Sequence, residues 1–595
     1  MKLPSLHQVS SQTLAVVRRY PLESLSAVVG TMAAILLVND HAPKQEDIIT
    51  KVLLTAALAL PGLLSITLWA NFKALAQSRK LTGYAVIIIA LSLFFFSLSS
   101  PLRETSFLKF VLLNATAHLL VSCIAFIKRG NTAAFWQFNK SLFLRIITAG
   151  IFSAVLYAGL AGAIAAMDTL FDLSVNGKWY ARLFIFLAGI FNTFFFLAGV
   201  PTNAATLEAE QDYPKVLKFF TQFVLVPLVS IYLIILLAYE AKIIMIWQLP
   251  QGWVSNLIIA YGIAGILSIL LVYPIRTMPG NSWIKIFSRW FYALLIPLLI
   301  LMFVAIGKRI SAYGFTEERV IVLATAIWLT GLALLYLFRP NGDIRIIPIT
   351  LTCVALIVSL VAFSISETSQ QNRLKVLLQN NHLLENGKTN ALKAGQTISF
   401  KDRKNISSIV YYLLKSHGNN SLHPLFNTGT LSNKKYSDYE NASTAIASLG
   451  FKFVDNYQTE DDSLQVNTWV EFANKEEALP ASGQDFALAL TNNYYQVEIK
   501  DSGLYVVAKD NVFAVYEGKD KISPDIKPRE KFEQLIKKYG TVSRNPKNIP
   551  LSDLQETVMS DKYIITIYYN KLSSSFGKDE HVNVGYSGII LLKKR

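Results

Sequence analysis

The dominant pattern in the chain is a series of long apolar stretches that runs from Leu22 to Phe363. A helix needs ~20 mostly apolar residues to cross the hydrocarbon core of a bilayer. Stretches such as 81–99 and 219–239 reach that length with few charges inside. The pattern predicts a polytopic α-helical membrane bundle of about eleven spans, near residues 22–38, 51–71, 81–99, 107–127, 142–166, 181–200, 219–239, 254–273, 288–306, 319–338 and 345–363.

After residue 363 the sequence becomes polar and carries charges of both signs. We therefore predict a transmembrane helical domain at 1–363 and a soluble α+β domain at 364–595. Helical patterns in the second region occur near 367–384, 402–415, 438–449 and 528–538. The alternation of apolar and polar residues that is typical of strands occurs at 494–499, 504–507, 512–516, 563–569 and 585–592.

The surplus of basic residues belongs to the membrane region. Residues 1–363 contain 27 Lys+Arg and 14 Asp+Glu, a net charge of +13, whereas residues 364–595 contain 29 and 26, a net charge of +3. Lys and Arg collect in cytoplasmic loops and contact lipid headgroups. We favour this interpretation over nucleic-acid binding, because no basic cluster in the soluble region is interleaved with stacking aromatic residues.

The same charges predict the orientation of the chain. Loops after even-numbered spans are richer in Lys and Arg, such as the loop with Lys128, Arg129 and Lys140 after the fourth span, so the N-terminus is predicted to be cytoplasmic. With eleven spans the C-terminal domain then lies on the other side of the membrane, and one miscounted span would reverse that result. The loop with Lys308, Arg309 and Arg319 is an exception, because it is basic on the predicted outer side.

Motifs for catalysis or metal binding are missing from the sequence. Cys123 and Cys353 both fall inside predicted spans, so neither a disulfide framework nor a zinc pattern is indicated. Neither HExxH nor GxSxG occurs. His417 and His423 flank a predicted loop, and we interpret them as surface or capping residues. We identify no catalytic, cofactor-binding or metal-binding residue and no cofactor, which makes an enzyme the less favoured class.

Five polar residues near or inside the spans form a speculative site. Asn114 and His118, with Ser122, recur at every fourth position of the fourth span and so share one helix face. Strongly polar groups in hydrocarbon usually face a partner or a water-filled cavity. A proton- or substrate-handling His118 is one interpretation, and a structural hydrogen bond between helices is the favoured one.

The other three members of this speculative site are Asn192, Glu240 and Lys242. Asn192 lies deep in the sixth span, where its amide could serve a site or simply bond to a neighbouring helix. Glu240 and Lys242 follow the seventh span. A buried ion pair is possible in principle, but we favour a border position in which Lys242 extends to the lipid headgroups.

Small residues stand at every fourth position of the fifth span, namely Gly150, Ala154, Ala158, Gly162 and Ala166. This spacing places all five on one face, where a neighbouring backbone can approach closely. We expect the face to pack against another helix of the same bundle, and a dimer interface is the alternative.

Two parts of the chain resemble a known family. The membrane part is the stretch 222–274, with the segment Trp247–Ser255 followed by Gly262 and Gly265, together with Phe191–Thr193 and Pro201 before it. It resembles the domain-of-unknown-function-4153 family of bacterial membrane proteins. The soluble part, 373–426, is similar to C-terminal regions attached to that family, through the segments Asn386–Lys388 and Ile406–Val410. The resemblance covers about residues 20–430 and implies a multi-span bacterial membrane protein. Together with the charge pattern of the loops, it leads us to expect a multi-pass protein of the bacterial inner membrane with a periplasmic C-terminal domain.

The sequence is compatible with two classes of function. We favour a transporter or small-molecule-binding membrane protein, and the alternative is an envelope sensor or assembly scaffold whose C-terminal domain binds a partner. The expected partners are the lipid bilayer and either a small-molecule ligand or an envelope protein, whereas nucleic acid is not expected. The sequence does not specify an oligomeric state.

Overall fold

The computed structural model divides the chain into two compact units. The first comprises Met1–Ile398 with Asn405–Phe453, and the second comprises Ser399–Lys404 with Val454–Arg595. These units are defined by contacts, so the division at residue 363 into transmembrane and soluble domains stays a prediction. The structure describes residues 6–39, 41–127, 131–209, 213–246, 253–393, 395–426, 438–455, 458, 469–473, 483–491, 497–498, 503–509, 512–539, 547–575 and 584–595.

Long apolar helices build most of the first unit. Within the described ranges, ten of them are long and apolar enough to cross a membrane, and Pro21–Leu36 is a shorter apolar helix before them. Each corresponds to one predicted span, so the prediction of a polytopic bundle is confirmed. The helices are α1 (Leu6–Arg19), α2 (Pro21–Leu36), α3 (Pro43–Phe72), α4 (Gln77–Ser97), α5 (Glu104–Cys123), α6 (Thr132–Phe171), α7 (Lys178–Phe186), α8 (Asn192–Ala198), α9 (Ala204–Ala209), α10 (Lys215–Phe220), α11 (Val226–Ile246), α12 (Trp253–Val272), α13 (Ser282–Tyr313), α14 (Glu317–Phe338) and α15 (Ile346–Asn380).

Two of the spans are interrupted by a π-helical turn. Leu187–Phe191 joins α7 to α8, and Thr221–Leu225 joins α10 to α11. Such turns inside α-helices are rare and occur frequently at functional sites. At the first turn the backbone passes so close to α2 that a Cβ on Gly189 would lie 2.0 Å from Thr31 Oγ1. Only glycine fits there, because the Cβ atom of any other residue would overlap the Thr31 side chain.

Hydrogen bonds between the helix connections agree with a path that alternates between two faces of the bundle. If every span crosses once, the connections after odd-numbered spans share one face with the described residues of the first unit that follow α15, and we call it the C-terminal face. Bonds on this face are Lys51 Nζ to Leu98 O at 2.7 Å, Ser100 Oγ to Asp47 Oδ2 at 2.7 Å, Arg182 Nη2 to Asn39 Oδ1 at 2.7 Å, and Thr105 Oγ1 to Ser416 O at 2.6 Å.

Connections after even-numbered spans meet on the opposite face. Lys73 Nζ donates to Ile127 O at 3.2 Å, and the Tyr213 hydroxyl donates to Leu271 O at 3.1 Å. Connections from Asn39 onward therefore bond as an alternating path requires.

The described residues of the first unit after α15 form a small helical subdomain. It contains the hairpin β1 (Leu384–Glu385) and β2 (Lys388–Thr389), then α16 (Phe400–His417), which belongs to this unit from Asn405 onward, and α17 (Asp438–Ala447). One apolar cluster joins the end of α15 to both helices, through residues such as Leu378, Leu413 and Ile446. The helices predicted at 402–415 and 438–449 are thus present, and the one predicted at 367–384 is the end of α15.

The second unit is built mainly from antiparallel strands. One sheet has the order β4-β12-β11-β3-β9 with β10 on β11, and another has the order β5-β6-β7-β8. The helix α18 (Pro528–Tyr539) packs its Phe532 and Leu535 into their shared core. The strands are β3 (Trp469–Ala473), β4 (Phe486–Thr491), β5 (Val497–Glu498), β6 (Leu504–Lys509), β7 (Val512–Glu517), β8 (Asp520–Lys521), β9 (Lys547–Asn548), β10 (Gln555–Met559), β11 (Tyr563–Ser575) and β12 (Gly585–Lys594).

This second unit confirms the predicted α+β class, although the sequence pattern misses β3, β4, β8, β9 and β10. Most of the predicted strand at 494–499 lies outside the described residues, which include only β5 there. The Trp247–Gly252 part of the family-like segment also lies outside them.

The space around individual glycines distinguishes the tightly packed helices from the loosely packed ones. A Cβ on Gly265 of α12 would lie 1.9 Å from Phe291 Cε2, and the Phe291 side chain is itself buried in the core that α12, α13 and α14 share. On α6, by contrast, a Cβ on Gly150 or Gly162 meets nothing within 4 Å. The expectation that the small-residue face of the fifth span packs inside the same bundle is therefore wrong.

We predict that Gly265→Ala destabilises the fold while Gly162→Ala leaves it unchanged. The added methyl group at Gly265 overlaps an aromatic ring that is held on all sides, and overpacking of this kind costs about 1–3 kcal/mol or more. The midpoint of thermal unfolding of the purified protein in detergent measures the effect. Equal midpoints for the two variants would contradict the close packing of α12 on α13.

Candidate functional site

An apolar cavity lies near the opposite face of the bundle, between α5, α6, α12, α14 and α15. Its volume is about 370 Å³. Nearly all of its walls are aliphatic or aromatic, and none of the described residues that line it is acidic. We call it the lysine cavity, because Lys140 lines it together with Leu119, Ser122, Phe135, Trp136, Asn139, Phe143, Leu217, Ile263, Ile266, Leu267, Leu270, Leu271, Trp328, Ile344, Ile347, Pro348 and Leu351.

Lys140 supplies the positive charge of this cavity. The residue is buried, at 8% exposure, and its Nζ lies 5.9 Å from the centre of the Trp136 ring. Trp136 is held in place because its Nε1 donates to Leu270 O at 2.7 Å and its ring stacks on Tyr213 at 5.5 Å. The indole therefore forms a fixed wall beside a buried ammonium group.

Other polar groups of the cavity bond to the protein backbone. Asn139 Nδ2 donates to Ser122 O at 3.1 Å and to Phe135 O at 2.9 Å. The rim is open on one side, since Ile263 is 53% exposed and Leu267 40% exposed while both line the cavity. Because these side chains belong to a spanning helix, the opening faces the lipid.

A second polar arrangement joins the helical subdomain to the membrane helices. The carboxylate of Glu317, at the start of α14, accepts from Ser366 Oγ at 2.7 Å and from the Tyr412 hydroxyl at 2.5 Å. His417 Nε2 lies 3.0 Å from Glu317 Oε1, and both side chains are only 7% exposed. We call Glu317, Ser366, Tyr412 and His417 the anchor cluster.

Local chemistry explains why the anchor cluster is stable. Burial and the hydrogen bond to Glu317 both raise the pKa of Tyr412, so its hydroxyl remains a donor. A buried carboxylate needs such donors, because an unsatisfied charge in an apolar environment is costly. Beside the cluster, the Arg103 side chain donates to Lys415 O at 3.3 Å and also to Leu414 O. Both carbonyl groups lie at the C-terminal end of α16, where the helix dipole stabilises a cation.

Asn114 and His118 do not meet in a cavity. Asn114 Nδ2 donates to Ala57 O of α3 at 3.2 Å, which is the interhelical bond expected as the structural interpretation. The exposed His118 lies with its Nδ1 2.9 Å from Asn114 O in its own helix. Their role in function stays a prediction.

Asn192, Glu240 and Lys242 are placed on two further helices. Asn192 is half-buried and directly follows the π-helical turn of the sixth span. Glu240 is half-buried and lines a small cavity with Lys308 of α13, whereas Lys242 is exposed. Both Glu240 and Lys242 lie within α11, which continues to Ile246, and their position at the membrane border stays a prediction.

Sequence reasoning missed three buried charged or titratable residues. Lys140 was expected in a cytoplasmic loop but lies in α6, and His417 was expected at the surface but is buried. Glu23 is completely buried in α2, where its Oε1 accepts from Thr67. A single acidic residue inside an apolar span is a signal that could have found Glu23, whereas Lys140 and His417 depend on partners distant in sequence.

The fold and these sites define a multi-pass membrane protein with a mainly antiparallel β region at its C-terminus. The family described as "Domain of unknown function (DUF4153)" matches residues 27–394, which is more than half of the chain. The chain therefore belongs to this family, as the resemblance indicated.

Other comparisons give little functional information. The "Uncharacterized protein PM1469" of Pasteurella multocida (strain Pm70) is 24% identical over 367 residues, which is 60% of this chain and 58% of that protein. The matched region thus spans less than two thirds of that relative. No solved structure matches the chain.

We predict that Glu317→Ala lowers stability much more than Glu104→Ala. The first change leaves the Tyr412 hydroxyl buried without its acceptor and removes the carboxylate that lies 3.0 Å from His417 Nε2, and a buried polar group left without its partner costs about 1–3 kcal/mol. Glu104 pairs with Lys415 at 2.8 Å but its side chain is 72% exposed, and exposed pairs contribute about 0–1 kcal/mol. Thermal unfolding in detergent compares the two variants, and equal losses would contradict the role of the anchor cluster.

Proposed function

We propose that this protein binds an amphipathic anion, a molecule with an apolar tail and one acidic headgroup, in the lysine cavity. The observation that carries the proposal is the buried Lys140 ammonium in a cavity whose other walls are almost entirely apolar. A volume of about 370 Å³ falls within the range of small-molecule sites. The apolar walls suit a hydrocarbon tail, and the ammonium suits a carboxylate or phosphate.

The opening of the cavity supports entry from the bilayer. Ile263 and Leu267 are exposed on a spanning helix and also line the cavity, so an acyl chain can enter without crossing water. Such a ligand gains little by leaving lipid for the cavity, because lipid tails are as apolar as the cavity walls. The contact between the headgroup and Lys140 therefore determines which amphiphiles bind.

This proposal favours the class of transporters and small-molecule-binding proteins. The π-helical turns in two spans add support, since interrupted helices build the binding sites of many transporters. The alternative, an envelope sensor or assembly scaffold, draws support from the anchor cluster, which fastens the helical subdomain to the membrane helices through Glu317.

We predict that Lys140→Met abolishes the preference for anionic over neutral amphiphiles. The wild-type protein should bind a fatty acid about tenfold more tightly than the matching fatty alcohol, the factor that ~1.4 kcal/mol of headgroup contact provides. Titration of the protein in non-ionic detergent measures both affinities.

The matched control for this experiment is Lys285→Met. It removes an exposed ammonium from the same side of the protein without touching the cavity, so the tenfold preference should persist. Lys140→Arg keeps the charge and should retain most of the preference. A wild-type protein that binds acid and alcohol equally well would refute the proposal.

We further propose that the protein resides in the bacterial inner membrane with a cytoplasmic N-terminus and a periplasmic C-terminal domain. The basic loops after even-numbered spans support this orientation, and the hydrogen bonds between connections agree with a path that alternates between two faces.

Paired reporters fused after Arg595 test the orientation. A reporter that is active only outside the cytoplasm should give signal, and a reporter that is active only inside should remain silent. The reverse pattern would show that the C-terminal domain is cytoplasmic and would place the lysine cavity on the outer side.

A further inference from the structure

The exceptional basic loop of the sequence contributes to a second cavity. Arg309 of α13 and Arg319 of α14 line a space of about 450 Å³ at the C-terminal face, beside the first turn of α12. We call it the arginine cavity. Its other polar lining residues are Ser255, Asn256, Thr316 and Glu318.

Arg319 is held in position by the connection before α14. Its Nη1 donates to Gly314 O at 2.6 Å and to Tyr313 O at 3.1 Å. Arg373 of α15 donates to the same Tyr313 O at 3.3 Å, and both guanidinium groups lie within 6 Å of the Tyr313 ring. The guanidinium group of Arg319 is thus held in a fixed position. Its hydrogen bonds within the described residues use only Nη1.

Neutral donors surround the two arginines. Ser255 is only 9% exposed and lines the cavity, and its hydroxyl has no hydrogen bond within the described part of the chain. Ser255 and Asn256 lie in the first turn of the 20-residue helix α12, where backbone N–H groups and the helix dipole favour negative charge. The exposed Glu318 is the acidic residue of the lining.

We propose that the arginine cavity binds the phosphate group of a ligand that reaches it from the C-terminal face. Guanidinium forks match the geometry of phosphate oxygens, and the donors on α12 and Thr316 approach from another side. The inference does not depend on the lysine cavity. It also explains why Lys and Arg stand in this loop against the charge rule, since two of these side chains serve a binding site.

Phosphate can be offered either by a soluble phosphorylated compound or by a phospholipid headgroup. Calorimetric titration of the full-length protein in phosphatidylcholine nanodiscs with inorganic phosphate tests the first source. The retention of phosphatidylglycerol by the purified protein, measured by mass spectrometry, tests the second source.

Arg309→Gln should weaken the binding of inorganic phosphate or of phosphatidylglycerol, whichever occurs, by about tenfold or more, because a charge-assisted hydrogen bond is lost. Asn256→Asp should do the same by placing a negative charge at the exposed rim, where it does not disturb packing. The matched control is Lys308→Gln, which removes a charge from the neighbouring position but does not line the arginine cavity, and it should bind as the wild type does.

Each outcome of these binding experiments either supports or overturns the proposed phosphate site. Phosphate binding that is lost in both variants and kept in the control establishes a site for a soluble ligand. Phosphatidylglycerol retention with the same dependence establishes a headgroup site. Failure of both probes to bind the wild type, or equal binding by all variants, would overturn the proposal.

Discussion

The hydrogen-bonded carboxylate of Glu317 is the interaction on which the arrangement at the C-terminal face depends. Apolar surroundings offer a charge no compensation, so donors from two other helices must reach it. Ser366 comes from α15 and Tyr412 from α16, and the carboxylate thereby joins three consecutive helices. Thr316 and Arg319 lie within two residues of this fixed point. The subdomain that carries α16 therefore helps to position the loop that forms the arginine cavity.

One helix connects the two cavities. Ser255 and Ile259 of α12 line the arginine cavity, and Ile263 lines the lysine cavity. Residues four apart lie on the same face of a helix, and four residues correspond to about 6 Å along its axis. The two cavities are therefore stacked along one face of α12 and separated by about one turn. Gly265, packed against Phe291, fixes how closely this helix approaches α13.

The sequence predicted the helices far better than the sites. Each span appears as a run of ~20 apolar residues, which is a local property that a window along the chain can detect. The lysine cavity is assembled from α5, α6, α12, α14 and α15, and no local pattern reports that assembly. Lys140 stands near the border of an apolar stretch and was assigned to a loop by charge alone. His417 was assigned to the surface because its partner, Glu317, is distant in the sequence.

The distribution of cations along α12 bears on the choice between transport and scaffolding. A scaffold needs neither a buried ammonium near one face of the bundle nor paired guanidinium groups near the other, and a buried charge is expensive to keep. A carrier of anions needs both. An anion that leaves one cation must reach another, because an anion without a cationic partner in apolar surroundings bears the full cost of desolvation. With Lys140 and the arginine pair near the two ends of α12, an anion that moves along this helix has a cation at each end of its path. This arrangement favours the proposed transporter or small-molecule-binding class over the scaffold.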